Sequence, residues 1–373
     1  MGDRKVAFRS KLPSSQRTSD YIRLVRAPAA LSVPGDVLAG AAAARTPWHP
    51  RVLGATASSV CMYWAGMALN DYADAAVDAV ERPDRPVPSG RVPRRTALAV
   101  ATGLTAASLG LAAATGGRRG LLGALPLTAL VWSYDLGLKS TPAGPAVMAG
   151  ARAADVLTGA LAVAPPGTGA TALRRGTLPA ALIAAHTYTL TALSRHEIAG
   201  APAGVPARTF AASTAAAVAT AAGPVVRGLG GFGKADGPAG GTGLRAGAGG
   251  ATPGGVSVGG ASALASGTAA AARVTARAGA LLGRRPQDPR TAATALIAGA
   301  AALSYLGSYG LAQIKAVRAP SGENVRGAVG AGITALVPLQ AALTARAGAP
   351  VAAALLGAAH PLARRLARRV SPT

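Results

Sequence analysis

The chain has 373 residues, with 38 Lys+Arg against 14 Asp+Glu and a formal net charge of +24. Half of it is hydrophobic and only 14% is charged, against about a quarter in an ordinary soluble domain. That balance excludes a typical soluble fold, the apolar half excludes a disordered chain, and one cysteine, Cys61, excludes a disulfide framework or a cysteine-based zinc site.

Residues 1–26 are basic and polar, so no cleavable signal peptide is expected. From residue 27 onward, apolar stretches recur at 27–44, 51–69, 96–115, 119–134, 145–163, 178–193, 206–222, 291–311, 324–345 and 349–363. Asp36, Arg152, Asp155 and Arg326 are among the charged residues inside them. A membrane-spanning helix needs about 20 apolar residues. Alanine dominates the stretches; it has the best helix propensity and lets membrane helices approach closely. None shows the polar stripe of a soluble amphipathic helix. The expected architecture is all-α: a polytopic transmembrane helical bundle of about nine spans, with a central cavity opening to the cytoplasmic side.

Five segments follow from the pattern: a basic cytoplasmic segment at 1–26, helices over 27–222, a Gly-rich low-complexity loop at 223–290, C-terminal helices over 291–363 and a basic tail at 364–373. With a cytoplasmic N-terminus, the inner segments hold Arg4, Lys5, Arg9, Lys11, Arg17, Arg23, Arg26, Arg82, Arg85, Arg91, Arg94, Arg95, Lys139, Arg195 and Arg208. The short outer loops hold Arg45, Arg51, Arg118, Arg119, Arg174 and Arg175. That asymmetry is the positive-inside pattern. The charge is therefore topological, and no nucleic-acid partner is expected, since no aromatic residues interleave with the cations to stack bases. The setting is an integral protein of a bacterial cell membrane, in contact with membrane lipids. In the Gly-rich loop, Gly228 to Lys234 has phosphate-loop spacing, but Ala235 stands where a Ser or Thr would hold magnesium.

The chemistry is concentrated at the end of the second stretch, in Asn70, Asp71, Asp74 and Asp78. Positions 70, 74 and 78 recur every four residues, and 71 is three from 74, so a helix puts all four on one face. Stacked carboxylates repel each other unless a cation lies between them. Hard oxygen donors suit Mg²⁺, which completes its shell with water and phosphate oxygens. Arg82, Arg85 and Arg91 follow closely, and guanidinium pairs with phosphate. Acids, magnesium and arginines together make a diphosphate site. Elsewhere, His186 is expected to be a hydrogen-bonded core residue, and Arg152 and Asp155, three apart, are placed to pair with each other.

The pattern Asn70-Asp71-x-x-Asp74-x-x-x-Asp78, followed by Arg82-Pro83-Asp84-Arg85-Pro86-Val87-Pro88-Ser89-Gly90-Arg91, resembles the first aspartate-rich motif of the UbiA superfamily of intramembrane prenyltransferases. Arg26-Ala27-Pro28 with Pro34 to Gly40 resembles that family's first helix, and Trp132 to Lys139 its stretch after the fourth. The resemblance implies Mg²⁺-dependent transfer of a prenyl group from an isoprenyl diphosphate to an aromatic or other lipophilic acceptor. Asp71, Asp74 and Asp78 would be catalytic; Asn70, Asp71, Asp74, Asp78 and Glu197 would hold metal. Asn70, Arg82, Arg85, Lys139 and Arg195 would bind the substrate. Where a second aspartate-rich motif should stand, the chain has Ser194-Arg195-His196-Glu197. That variant resembles a divergent branch of the family, encoded with ebo-type metabolite clusters. It keeps a second reading open: a non-catalytic relative that binds or transports a lipophilic metabolite.

Overall fold

A computed structural model describes residues 14–26, 32–230 and 289–370. Every regular element among them is helical. The α-helices are α1 Ser14–Leu24, α2 Val33–Ala43, α3 Arg51–Ala73, α4 Ala75–Glu81, α5 Arg94–Ser133, α6 Gly144–Ala162, α7 Gly169–Ser194, α8 Gly204–Gly230, α9 Pro289–Tyr305, α10 Leu311–Arg318, α11 Gly322–Arg346 and α12 Pro350–Val370. π-Helical turns at Tyr134–Leu138 and Leu306–Gly310 continue α5 and α9. Most of the Gly-rich loop and its phosphate-loop lookalike lie outside the described residues.

The all-α expectation stands, but the count of about nine spans does not. Among the described residues four helices are long and apolar enough to cross a membrane: Arg51–Ala73, Arg94–Leu138, Thr291–Arg318 and Gly322–Arg346. These make the protein an integral membrane protein. The other stretches fall short for identifiable reasons. α2 has 11 residues, α6 contains Arg152 and Asp155, and the part of α7 beyond Arg174 and Arg175 is diluted by His186, Tyr188 and several threonines. The stretches at 96–115 and 119–134 are two helical arms of α5, separated by the non-helical Gly117, where φ is 58°. Its arms fold back on each other there. Trp132 Nε1 donates to Thr105 Oγ1 at 3.1 Å, whereas a straight helix would hold residues 27 apart about 40 Å from each other.

α11 is the central helix: 78% of its apolar window is buried, against 22% for α5. Ala39, Val156, Ile183, Tyr305, Tyr309 and Leu339 meet in one apolar cluster joining α2, α6, α7, α9 and α11. His186 lies in the same region, its Nδ1 2.9 Å from the Tyr305 hydroxyl, as a packed core residue.

α2 begins inside the bundle, and buried polar side chains hold that beginning. Gln340 Nε2 donates to the Ser32 carbonyl and to Asp36 Oδ1, both at 2.7 Å. Arg152 Nε lies 2.9 Å from Asp36 Oδ2. Arg152 thus pairs with Asp36, and Asp155 accepts instead from the Ser59 hydroxyl. Helical spacing put Arg152 and Asp155 on one face, but packing against α2 and α3 supplied different partners. A buried charge needs such a partner, because hydrocarbon offers none.

α2 and α6 cross without intervening side chains. A Cβ on Gly40 would collide with the Val156 carbonyl, and one on Gly159 with the Val37 carbonyl. Gly40→Val and Gly159→Val should each destabilise the protein by about 2 kcal/mol or more. Thermal unfolding in detergent checks this. Gly103→Ala, which faces open space, should leave the midpoint nearly unchanged.

Candidate active site

The acidic motif lies where α3 ends and α4 begins. Asp74 is the residue between them, with φ −86° and ψ 5°. The hydrogen-bond ladder nevertheless runs through it: Asp74 N–H reaches the Asn70 carbonyl and Asp78 N–H the Asp74 carbonyl, both at 2.8 Å. The four residues therefore stay close to helical register, but they do not act as one face.

Asp71 and Asp78 form one set, buried to 2% and 1% exposure. Arg85 Nη1 lies 2.6 Å from Asp78 Oδ2 and 3.6 Å from Asp71 Oδ1. Arg26 Nη2 adds a contact of 3.3 Å to Asp71 Oδ1, and Arg82 Nη1 one of 3.5 Å to Asp78 Oδ1. Asn70 and Asp74 form a second set, facing the π-helical turn at the end of α5. Asn70 Nδ2 donates to Asp135 Oδ1 at 3.3 Å, and Lys139 Nζ pairs with Asp74. The π turn, in which Lys139 N–H reaches the Tyr134 carbonyl at 3.0 Å, presents Asp135 and Lys139 together. Inserted turns of this kind recur at functional sites.

The loop carrying Arg85 is built, not slack. Ser89 Oγ donates to the Arg85 carbonyl at 2.7 Å, and Val92 N–H to the Pro86 carbonyl at 2.8 Å. Val87 and Val92 pack with Leu24, Leu69 and Ala97. Arg91 Nε reaches Asp20 on α1 at 3.0 Å, tying α1 to the loop.

The remaining expected residues lie at the edge. Arg195 donates to the Lys139 carbonyl at 2.9 Å and to that of Thr141. Its guanidinium braces the turn carrying Lys139. Glu197 is within electrostatic reach of Arg326 and Arg82, and Arg326 donates to its backbone carbonyl at 3.3 Å. The five expected metal ligands are thus distributed, and among the described residues no group of three or more His, Cys, Asp or Glu forms a metal cage. Magnesium needs only one or two carboxylates when water and phosphate complete its shell. Asp71 and Asp78, buried and converging on a single cationic nitrogen, are a suitable donor pair. The sequence reading missed Asp135 as a site residue, although an acid beside Tyr134 at the end of an apolar stretch was a visible signal. Arg26 stands out in the sequence only for charge and resemblance, because its partner Asp71 lies 45 residues away.

The sequence model of the UbiA prenyltransferase family matches residues 33–233, more than half of the chain and all of the acidic motif. The chain belongs to the UbiA prenyltransferase family. Among curated relatives of this family member, the digeranylgeranylglyceryl phosphate synthase of Methanopyrus kandleri is 42% identical over 127 residues, 33% of this chain and 45% of that protein. The synthase of the same name from Ignicoccus hospitalis is 34% identical over 154 residues, 41% and 50% of the two chains. The chain spans about half the length of these relatives. They are archaeal proteins and lend no support to a bacterial source. A solved UbiA homologue from Aeropyrum pernix K1 aligns with 88% of the chain and 98% of its own length, at 16% identity and a TM-score of 0.45.

Removing Arg85 leaves two buried carboxylates short of a partner. Arg85→Gln should cost on the order of 3 kcal/mol, and Asp78→Asn combined with it should cost much less than the sum of the two single changes. A double-mutant cycle from denaturation in detergent checks this. Burial raises the Glu197 carboxyl above its ordinary value of 4.5, against the pull of Arg326 and Arg82. The native state therefore holds this proton more tightly than the unfolded chain. Its contribution to stability should fall as pH rises from the ordinary value through the native one. Glu197→Gln should flatten that part of the melting-temperature profile.

Proposed function

We propose that this protein is a membrane prenyltransferase. It moves a prenyl group of the geranylgeranyl class from its diphosphate to a lipophilic acceptor, with Mg²⁺ as the metal. The observation that carries this reading is the convergence of Asp71 and Asp78 on Arg85, with Arg82 and Lys139 beside them. The N-terminus and this end of the bundle face the cytoplasm. Within the family, Ser194-Arg195-His196-Glu197 in place of a second aspartate motif argues for the divergent, ebo-type branch.

Breaking the bond between C1 of the prenyl group and the diphosphate oxygen leaves an allylic cation and adds negative charge to the departing diphosphate. Asp71 and Asp78 would hold Mg²⁺, which supplies Lewis-acid neutralisation of diphosphate oxygens when bound. Arg85 and Arg82 exchange carboxylate partners for phosphate oxygens, a change guanidinium accommodates in the same two-pronged geometry. Lys139, positioned by the π turn and Arg195, adds a further cation. These charges are set in place before the bond breaks, where they stabilise the departing group most. The acceptor then bonds to C1 and releases its proton.

The competing reading is a non-catalytic protein that binds or transports a lipophilic metabolite. Arg195 favours it, since its guanidinium is engaged with backbone carbonyls and Glu197 is the acid remaining in the second motif region. The purified protein, supplied with geranylgeranyl diphosphate, Mg²⁺ and a panel of lipophilic acceptors, should release diphosphate. Asp71→Ala and Asp78→Ala should lower the rate by about 100-fold. Metal-dependent binding of the diphosphate without release above an Asp74→Ala control would favour the second reading.

A further inference from the structure

The end of the bundle opposite the acidic motif carries a second concentration of charge. α3 has 23 residues, so its ends lie about 35 Å apart at 1.5 Å per residue. Near its N-terminal end, Arg45, Arg175 and Arg346 line one recess of about 200 Å³, together with Leu178, Pro179 and Leu343. The arginines come from three elements: the α2–α3 connection, the N-terminal half of α7 and the last turn of α11. No Asp or Glu lines the recess.

Ordinary structural roles account for one arginine of the three. Arg346 sits in the last turn of α11, where a cation is favoured by the helix dipole, and donates to the Ala219 carbonyl at 2.6 Å. Arg175 lies nearer the N-terminal end of its helix, where the dipole gives a cation no support. Arg45 has a φ of 70°, uncommon for any residue but glycine. Neither side chain makes a hydrogen bond or ion pair among the described residues. If the acidic motif faces the cytoplasm, this is also the side on which membrane proteins avoid arginine. Gathering like charges costs free energy unless an anion joins them. The walls say what kind of anion. Leu178 is 41% exposed, and with Pro179 and Leu343 it gives the recess an apolar side that a small hydrated anion would not use.

We propose that this recess binds the phosphate group of an anionic membrane lipid. Arg45 and Arg175 donate to the phosphate oxygens, and Leu178, Pro179 and Leu343 lie against the attached chain. The site is separate from the acidic motif and does not depend on the chemistry assigned there.

Native mass spectrometry of the full chain in detergent, titrated with phosphatidylglycerol, tests the site. The expected result is a retained lipid whose affinity falls about tenfold, or 1.4 kcal/mol, in Arg45→Gln/Arg175→Gln. Arg174→Gln, which alters the neighbouring arginine outside the recess, should leave the affinity unchanged. Should the double variant fail to fold, Arg175→Gln alone carries the test, since that side chain is exposed and makes no described bond. Unchanged affinity in the recess variants, or an equal loss in Arg174→Gln, overturns the site. Inorganic phosphate and glycerol 3-phosphate form the second arm. If either displaces the lipid at millimolar concentration and alone raises the melting temperature, the ligand is a soluble phosphate and the lipid assignment is overturned.

Discussion

Two carboxylates almost wholly withdrawn from water, Asp71 and Asp78, need cationic partners and share Arg85, with Arg26 also on Asp71 and Arg82 also on Asp78. The polar end of the molecule is organised around meeting that need. α3 delivers Asp71, the break at Asp74 lets α4 deliver Asp78, and the loop that follows returns Arg85 to a point between them. The loop can do so because Val87 and Val92 are buried beneath it, and because Arg91 ties it to Asp20 on α1. The pairing has a chemical consequence as well. A carboxylate pair that accepts one cationic group can accept a divalent metal, and a guanidinium that pairs with carboxylate can pair with phosphate. The contacts that stabilise the chain without ligand are therefore those that a diphosphate and its metal would exchange.

The interior of the bundle obeys a related constraint. Hydrocarbon cannot satisfy a carbonyl or a charge, so the start of α2 within the bundle is tolerable only because Gln340 and Arg152 reach it from α11 and α6. The same scarcity of bulk that lets those side chains reach also lets α2 and α6 touch backbone to backbone at Gly40 and Gly159. Alanine and glycine are abundant in this chain for a reason beyond helix propensity: close approach is what makes dispersion contacts effective between membrane helices. Charge inside the bundle is sparse, paired and deeply buried, whereas at both ends it is gathered around recesses or motifs open to ligands.

Much of the acidic site was legible in the linear chain. The four-residue spacing of Asn70, Asp74 and Asp78, with arginines close behind, pointed to a metal and phosphate site before any fold was known. The division of that motif into two sets was not legible. Helical periodicity says which residues share a face, but Asp74 turns toward Lys139 and Asn70 toward Asp135 because the end of α5 packs there. Lys139 was expected as a site residue through resemblance; Asp135, its partner on the π turn, was not. Arg195 was expected to meet substrate and is found bracing the turn that carries Lys139.

Composition alone pointed to a helical chain that belongs in a membrane, and local spacing singled out the acids and arginines proposed to do chemistry. Both are short-range properties: apolar length and helical period act over one element at a time. The tertiary structure decided the rest. Among the described residues it left four helices fit to span in place of about nine, because hydropathy must be sustained over a whole helix. It gave Arg152 to Asp36, Arg26 to Asp71 and Arg85 to both acids. It also brought Arg45, Arg175 and Arg346 to one recess. These partners lie up to hundreds of residues apart, and only the packing of helices against one another sets which of them meet.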